Sequence, residues 1–156
     1  MQLRILNKKE ISRILSKLNE QFEINLKIDY GMLRNKDGKI SLVTKDLGKV
    51  NLDKLRINDI GLYAIREDKE IRLSIEGSQL FGKHVRKNIY EINKDEANLW
   101  MTGNNIKCNK VYNGFVIIKY EDNFLGTGKY KNNEIINYIP KERWIKQHSI
   151  NKNKII

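Results

Sequence analysis

The chain has 156 residues, 40% hydrophobic and 31% charged, which excludes a disordered chain and allows one domain or two small packed ones, since a core needs on the order of 100 residues. Thirty Lys and Arg against nineteen Asp and Glu give a formal net charge of +11 spread along the whole chain, so an anionic partner is expected and a basic tail does not explain the surplus. No apolar run approaches the roughly 18 residues of a membrane span, "MQLRILNKKE" has no signal-peptide core, and Cys108 is the only cysteine, so a cytoplasmic protein without membrane partner, disulfide or cysteine zinc cluster is predicted.

The first element is a helix over Asn7 to Phe22, where Ile11, Ile14, Leu15, Leu18 and Phe22 recur at helical spacing on an otherwise polar cylinder. Asn7 with Glu10 reads as a capping box, and Leu6 is placed to staple onto Ile11. "EINLKIDYGML" then alternates Ile24, Leu26, Ile28 and Tyr30, and "KISLVT" continues beyond the turn "NKDG", which predicts a hairpin with one buried face. Between Asn51 and Ile75 two apolar strands flank the charged turn "REDKE", and a soft boundary is expected near residue 66.

"EGSQLFG" follows as a short helix and "NIYEI" as a strand. Next comes a helix capped by Asn93 and Glu96 and stopped at Gly103, and then Cys108, which reads as a buried, idle thiol. "NGFVIIKY", "NFLGTGKYK" and "EIINYI" are predicted as three successive antiparallel strands joined by the turns "EDN" and "KNN", with Pro140 ending the sheet. The closing residues 148–156 read as a flexible basic tail. This order is α+β, with a module over 1–66 and a second domain over 67–147.

Gly126, Gly128 and Lys129 raise the question of a nucleotide phosphate loop. Such a loop needs a glycine where Asn123 stands, a Ser or Thr where Tyr130 stands, and a helix to open, so the glycines read instead as sites of close backbone approach or a bulge. His84 and His148 have no ligand-spaced neighbours, Ser74 and Ser78 lack a glycine elbow, and Glu76 reads as a cap of the short helix. No catalytic set, metal site or cofactor is expected.

The cations are more telling. Lys83, Arg86 and Lys87 follow the short helix, Lys107 and Lys110 flank Cys108, Lys129 and Lys131 end a strand, and Lys141, Arg143 and Lys146 surround Trp144. Each run alone is a solvated face; together, at loops and strand ends of a small sheet, they suggest a surface that tracks phosphates. Tyr90, Tyr112, Tyr130 and Trp144 read either as core aromatics or as platforms for unpaired bases.

"EGSQLFGKHVRKNIYEI" and "GFVIIKYEDNFLGTGKYKNNEIINYIPKERW" together resemble a PUA domain, the RNA-binding fold named after pseudouridine synthases and archaeosine transglycosylases. The first stretch is similar to ribosome-biogenesis factors that carry a PUA domain behind an N-terminal α/β pre-PUA module. The second is similar to the PUA-like C-terminal domain of rRNA cytosine-5 methyltransferases, matching at Leu125, Gly126, Gly128, Asn137, Pro140 and Arg143. The resemblance covers roughly residues 60 to 146 and implies an antiparallel pseudo-barrel with a basic groove beside the short helix. By position it implies RNA contacts at Gly77, Lys83, His84, Arg86, Lys87, Lys129, Lys131 and Arg143, with Lys141 from the same basic run as Arg143. No methyltransferase cofactor loop or catalytic cysteine pair accompanies these motifs, so binding rather than catalysis carries over. The expected function is that of a non-catalytic protein of rRNA or tRNA modification and ribosome biogenesis. It would bind structured RNA, alone or beside a separately encoded modifying enzyme. The alternatives are an RNA-modification enzyme subunit whose active site is not visible in the sequence, and an adaptor docking an acidic protein.

Overall fold

A computed structural model describes residues 3–24, 29–43 and 61–146 of the chain. Two five-stranded sheets make up the fold. The first is a meander in chain order: β1 (Leu3–Ile5), β2 (Gly31–Asn35), β3 (Lys39–Val43), β4 (Leu62–Glu67) and β5 (Ile71–Leu73), every pair antiparallel. The second is curled, in the order β6 (Ile89–Glu91), β8 (Phe115–Tyr120), β9 (Asn123–Lys131), β10 (Glu134–Asn137) and β7 (Ile106–Lys107). Only β6 with β8 is parallel among its described pairs. Three helices complete the chain: α1 (Lys8–Phe22), α2 (Ile75–Phe81) and α3 (Lys94–Met101). The result is α+β with a half-barrel second sheet, as the sequence predicts.

Local chemistry accounts for the helix limits. Asn7 caps α1 through a capping box with Glu10, and Ile14, Leu18 and Phe22 form its buried stripe. Asn93 and Glu96 repeat the device on α3, and Gly103, at φ 94°, turns the chain away after it. At α2 the cap is Ser74, whose Oγ accepts from the Gly77 N–H at 3.0 Å. Glu76 therefore does not cap that helix; its carboxylate pairs with Arg143 at 2.7 Å.

β8 explains the architecture. Phe115 and Ile117 belong to one core cluster, with Phe22, Met32, Ile40, Ile65 and Phe81, while Val116 and Ile118 belong to another, with Trp100, Leu125 and Ile135. Alternate side chains of a strand point to opposite faces, so "FVII" is continuous because both faces are covered. Both sheets and α1 thus close over the first cluster, and the half-barrel closes over the second.

The strand of the Gly-Thr-Gly-Lys stretch joins these parts. Gly126, at φ 81°, sits opposite an irregularity between Ile117 and Lys119, and its N–H donates to Ser78 Oγ at 2.8 Å. Thr127 Oγ1 donates to the Leu73 carbonyl at 2.9 Å, and a Cβ on Gly128 would lie 2.5 Å from the Ile136 carbonyl oxygen. Gly128 permits close approach and Gly126 supplies the positive φ of a bulge, the two roles expected of these glycines.

The structure adds two short strands that the sequence reading leaves out, β1 and β7, each completed by its partner. The predicted hairpin forms across "NKDG", but β2 begins at Gly31, Tyr30 is exposed, and Leu26 and Ile28 lie outside the described residues. Residue 66 falls inside β4, and the first sheet continues to Leu73, so the sheets change over after β5. Residues 44–60 and 147–156, including His148 and the expected tail, also lie outside the described residues. Among the described helices none is long and apolar enough to cross a membrane.

Candidate functional site

On the first sheet, strand pairing sets Lys39 opposite Arg66 and Arg66 opposite Arg72, a row of three cations across β3, β4 and β5. Directly opposed like charges destabilise a sheet by roughly 0.2–1 kcal/mol per pair, so packing alone does not favour this row. Aromatic faces moderate it: Lys39 Nζ lies 5.3 Å from the Tyr63 ring centre, and the Arg72 guanidinium lies 4.8 Å from Tyr138 and 5.5 Å from Phe115. Burial pushes the Tyr63 hydroxyl pKa up, while Arg72 and Arg66 pull the other way.

The row lines a cavity of about 350 Å³ between the sheets, at the start of α2, with Tyr63, Tyr138 and Arg143 on its walls. Four cations face Glu76 and Glu142 there. Arg66 Nε is buried without a hydrogen-bond partner, whereas Arg143 is committed in part to Glu76.

From this cavity the charge continues past β5. Lys129 Nζ lies 5.9 Å from the Phe115 ring that also faces Arg72, and it is bound to Glu70 at 2.8 Å, an interaction that raises the Lys129 pKa. Glu70 in turn lines a second depression, with Lys17, Lys69 and Lys87 around it. Lys87 Nζ donates to the Glu20 carbonyl at 2.8 Å, at the end of α1 where a cation meets free helix carbonyls. Cations thus recur along a track from Arg143 through Arg66, Arg72 and Lys129 to Lys87, interleaved with the carboxylates of Glu76, Asp68 and Glu70.

A scan of family models matches residues 87–145 to one described as the methyltransferase RsmF PUA domain. A solved PUA domain from Aeropyrum pernix K1, in a tartrate complex, has the same fold, with a TM-score of 0.56 at 13% identity over 90% of this chain and 86% of that one. Residues 87–145 thus match a PUA-domain model, and the fold across the chain is that of a PUA domain. The ribosomal RNA small subunit methyltransferases F of Vibrio vulnificus strains YJ016 and CMCP6 are each 26% identical over 137 residues, 87% of this chain and 29% of those proteins. The chain thus spans less than a third of the length of the curated relatives it matches.

Within this fold the residues singled out from sequence do not form one groove. Lys129, Arg143 and Lys87 lie along the track, and Lys141 stands exposed two residues from Arg143. Gly77 faces inward: it is buried, and a Cβ there would collide with the Ala64 carbonyl of β4, so it sets how closely α2 approaches the sheet. Lys83 and His84 are exposed on the turn after α2, where Gly82 packs against Phe124, and Arg86 is held through its backbone N–H, which donates to Phe22 O. Lys131 is exposed at the end of β9, beside the β9–β10 turn.

The aromatics separate likewise. Tyr90, Tyr112 and Tyr130 form an edge-to-face ladder, with centres 6.0 and 6.2 Å apart, against the second core, and burial raises the Tyr90 and Tyr112 pKa values. Trp144 packs on Gly103 and donates from Nε1 to the Ile139 carbonyl at 2.9 Å. Cys108 is buried, as expected. Among the described residues no group of three or more His, Cys, Asp or Glu is placed to hold a metal ion. Lys39, Arg66 and Arg72 were absent from the sequence-derived set. Lys39 is remote from the other two in the chain, and Arg66 and Arg72 flank a turn rich in carboxylates, Glu67, Asp68 and Glu70, so strand register is what aligns the three.

Proposed function

We propose that this protein binds structured ribosomal or transfer RNA along the basic track, performs no chemistry of its own, and serves rRNA modification or ribosome biogenesis in the cytoplasm, handing RNA to a separately encoded modifying enzyme. The row Lys39–Arg66–Arg72 carries the reading, because aligned cations cost stability and only Arg72 of the three meets a carboxylate among the described residues, Asp68 at 3.7 Å. A phosphate backbone supplies that anion as a chain of charges, matching a track rather than a point. Its setting in a PUA-domain fold agrees, as does the ribosomal RNA in the names of the curated relatives.

Electrophoretic shift of a folded rRNA hairpin across a salt series tests it. Three or four phosphate contacts give a slope of log affinity against log salt of about −3. Arg66→Gln is expected to weaken binding about tenfold and flatten the slope by about 1, with an unchanged melting temperature. Binding that ignores both salt and Arg66→Gln overturns the reading.

A further inference from the structure

A second cavity, of about 890 Å³, shares no residue with the basic track. It lies where the edges of the curled sheet approach each other: Tyr90 of β6 forms one side, and its hydroxyl stands 3.5 Å from the Lys107 carbonyl of β7 on the other. Asn109, Asn132, Asn133 and Glu134 complete the wall.

The chemistry of that wall differs from the track. Asn132 and Asn133 both hold positive φ, 49° and 63°, in the two-residue turn between β9 and β10, which fixes two amides at its rim. The Asn133 carbonyl accepts from the Cys108 N–H at 2.9 Å, and its Oδ1 accepts from the Tyr130 hydroxyl at 3.2 Å. Its side-chain oxygen is thereby oriented toward Tyr130, and its NH2 is the end turned away. Glu134 stands opposite both Lys107 and Lys131 in strand register and forms no ion pair with a described residue. Lys107 of the wall is exposed, as are Lys110 and Lys131, each next in the chain to a lining asparagine.

Amides that offer donors and acceptors, one carboxylate, a tyrosine wall and these lysines match an unpaired nucleotide better than a duplex. The amides and the carboxylate meet a base edge, the tyrosine offers a face or edge to the ring, and the lysines meet flanking phosphates. A carboxylate accepts hydrogen bonds and donates none, so it favours bases whose pairing edge carries an amino donor, adenine, guanine and cytosine, over uracil, which has no amino group. We propose that this cavity holds one unpaired amino-bearing base of the bound RNA, a base-reading site separate from the phosphate track, with guanine and cytosine as the probes against uracil. The proposal rests on the RNA-binding reading above.

Pentanucleotides test it on the full chain. UUGUU, UUCUU and UUUUU are titrated into isotope-labelled protein, and the backbone amide signals of Asn109, Asn132, Asn133 and Lys107 are followed by NMR. The expected result is shifts at these residues and affinity at least about fivefold higher for UUGUU or UUCUU than for UUUUU. Asn133→Gly keeps the positive φ of the turn while removing the amide, and is expected to weaken the preferred pentanucleotide about tenfold at unchanged melting temperature. Glu134→Gln is expected to bring the three pentanucleotides to within about twofold of one another. Equal affinity of all three for the wild type, or shifts confined to the track, overturns the inference. The folded hairpin and Arg66→Gln are measured in parallel. If the hairpin still binds and responds to Arg66→Gln while no pentanucleotide enters the cavity, only the base site falls. If neither RNA binds, both readings fall.

Discussion

Arg66 and Glu67 are neighbours on β4, yet they belong to opposite electrostatic regimes. Glu67 points to the face covered by α1, where it is 3% exposed and is bound by Arg13 at 2.6 and 3.1 Å, by Lys17 at 2.8 Å and by Arg34. Arg66 points to the other face, into a row of cations with no carboxylate in the row. On one face the fold spends a single carboxylate to gather three cations. On the other it aligns three cations, of which only Arg72 meets a carboxylate among the described residues, Asp68 at 3.7 Å. Net charge of +11 therefore says little until it is divided between the two faces: some of the surplus holds α1 to the sheet, and some is available to a ligand.

The structural face should show the larger response. Burial pushes the Glu67 carboxyl up, but the hydrogen bonds from Arg13, Lys17 and Arg34 outweigh it and hold the pKa at about 2, below its ordinary 4.5. A carboxyl depressed on folding stabilises the protein above pH 4.5, and that contribution is lost as pH falls toward 2. The difference corresponds to about 3 kcal/mol. Glu67→Gln is expected to cost a similar amount at pH 7, read by urea denaturation, and to flatten the decline of stability between pH 4.5 and 2. Its effect on RNA affinity should be slight. An affinity loss as large as that of Arg66→Gln, without a stability loss, would erase the distinction between the faces.

Gly77 sharpens the same comparison from the side of α2. A methyl group there meets the Ala64 backbone rather than a flexible side-chain end, so α2 must move away from β4. Gly77→Ala is expected to cost about 2 kcal/mol in urea denaturation. Hairpin binding measured well below the new melting temperature should change less than it does for Arg66→Gln. A full-strength binding loss with unchanged stability would return Gly77 to the role the family resemblance gave it.

Sequence reading found what neighbouring residues decide. The caps at Asn7 and Asn93, the helical stripe of α1, the turns at "NKDG" and "KNN", the bulge at Gly126 and the close approach at Gly128 are all signalled by residues a few positions apart. β1 and β7 carry two or three residues each and are defined by their partners, so no local period announces them. The cations divide in the same way. Lys83, Arg86 and Lys87 stand out because they are adjacent in sequence, whereas Lys39, Arg66 and Arg72 come together only through the register of three strands. A charge run marks where cations are dense along the chain, and a binding surface depends on where they are dense in space.

That distinction supplies the smallest predicted effect. Lys83 follows α2, and the cavity lies at that helix's beginning. At 1.5 Å per residue the seven-residue helix sets them about 10 Å apart, close to the distance over which physiological salt screens an exposed charge. An RNA backbone lying in the track from Arg143 to Lys87 feels Lys83 and His84 only through that screened field. Lys83→Ala is accordingly expected to lower hairpin affinity less than about threefold, with the slope against salt unchanged. Lys87→Ala, at the far end of the track, should exceed it. If Lys83→Ala instead matches Arg66→Gln in both affinity and slope, the RNA crosses the C-terminal end of α2, and the row on β3, β4 and β5 is not its main seat.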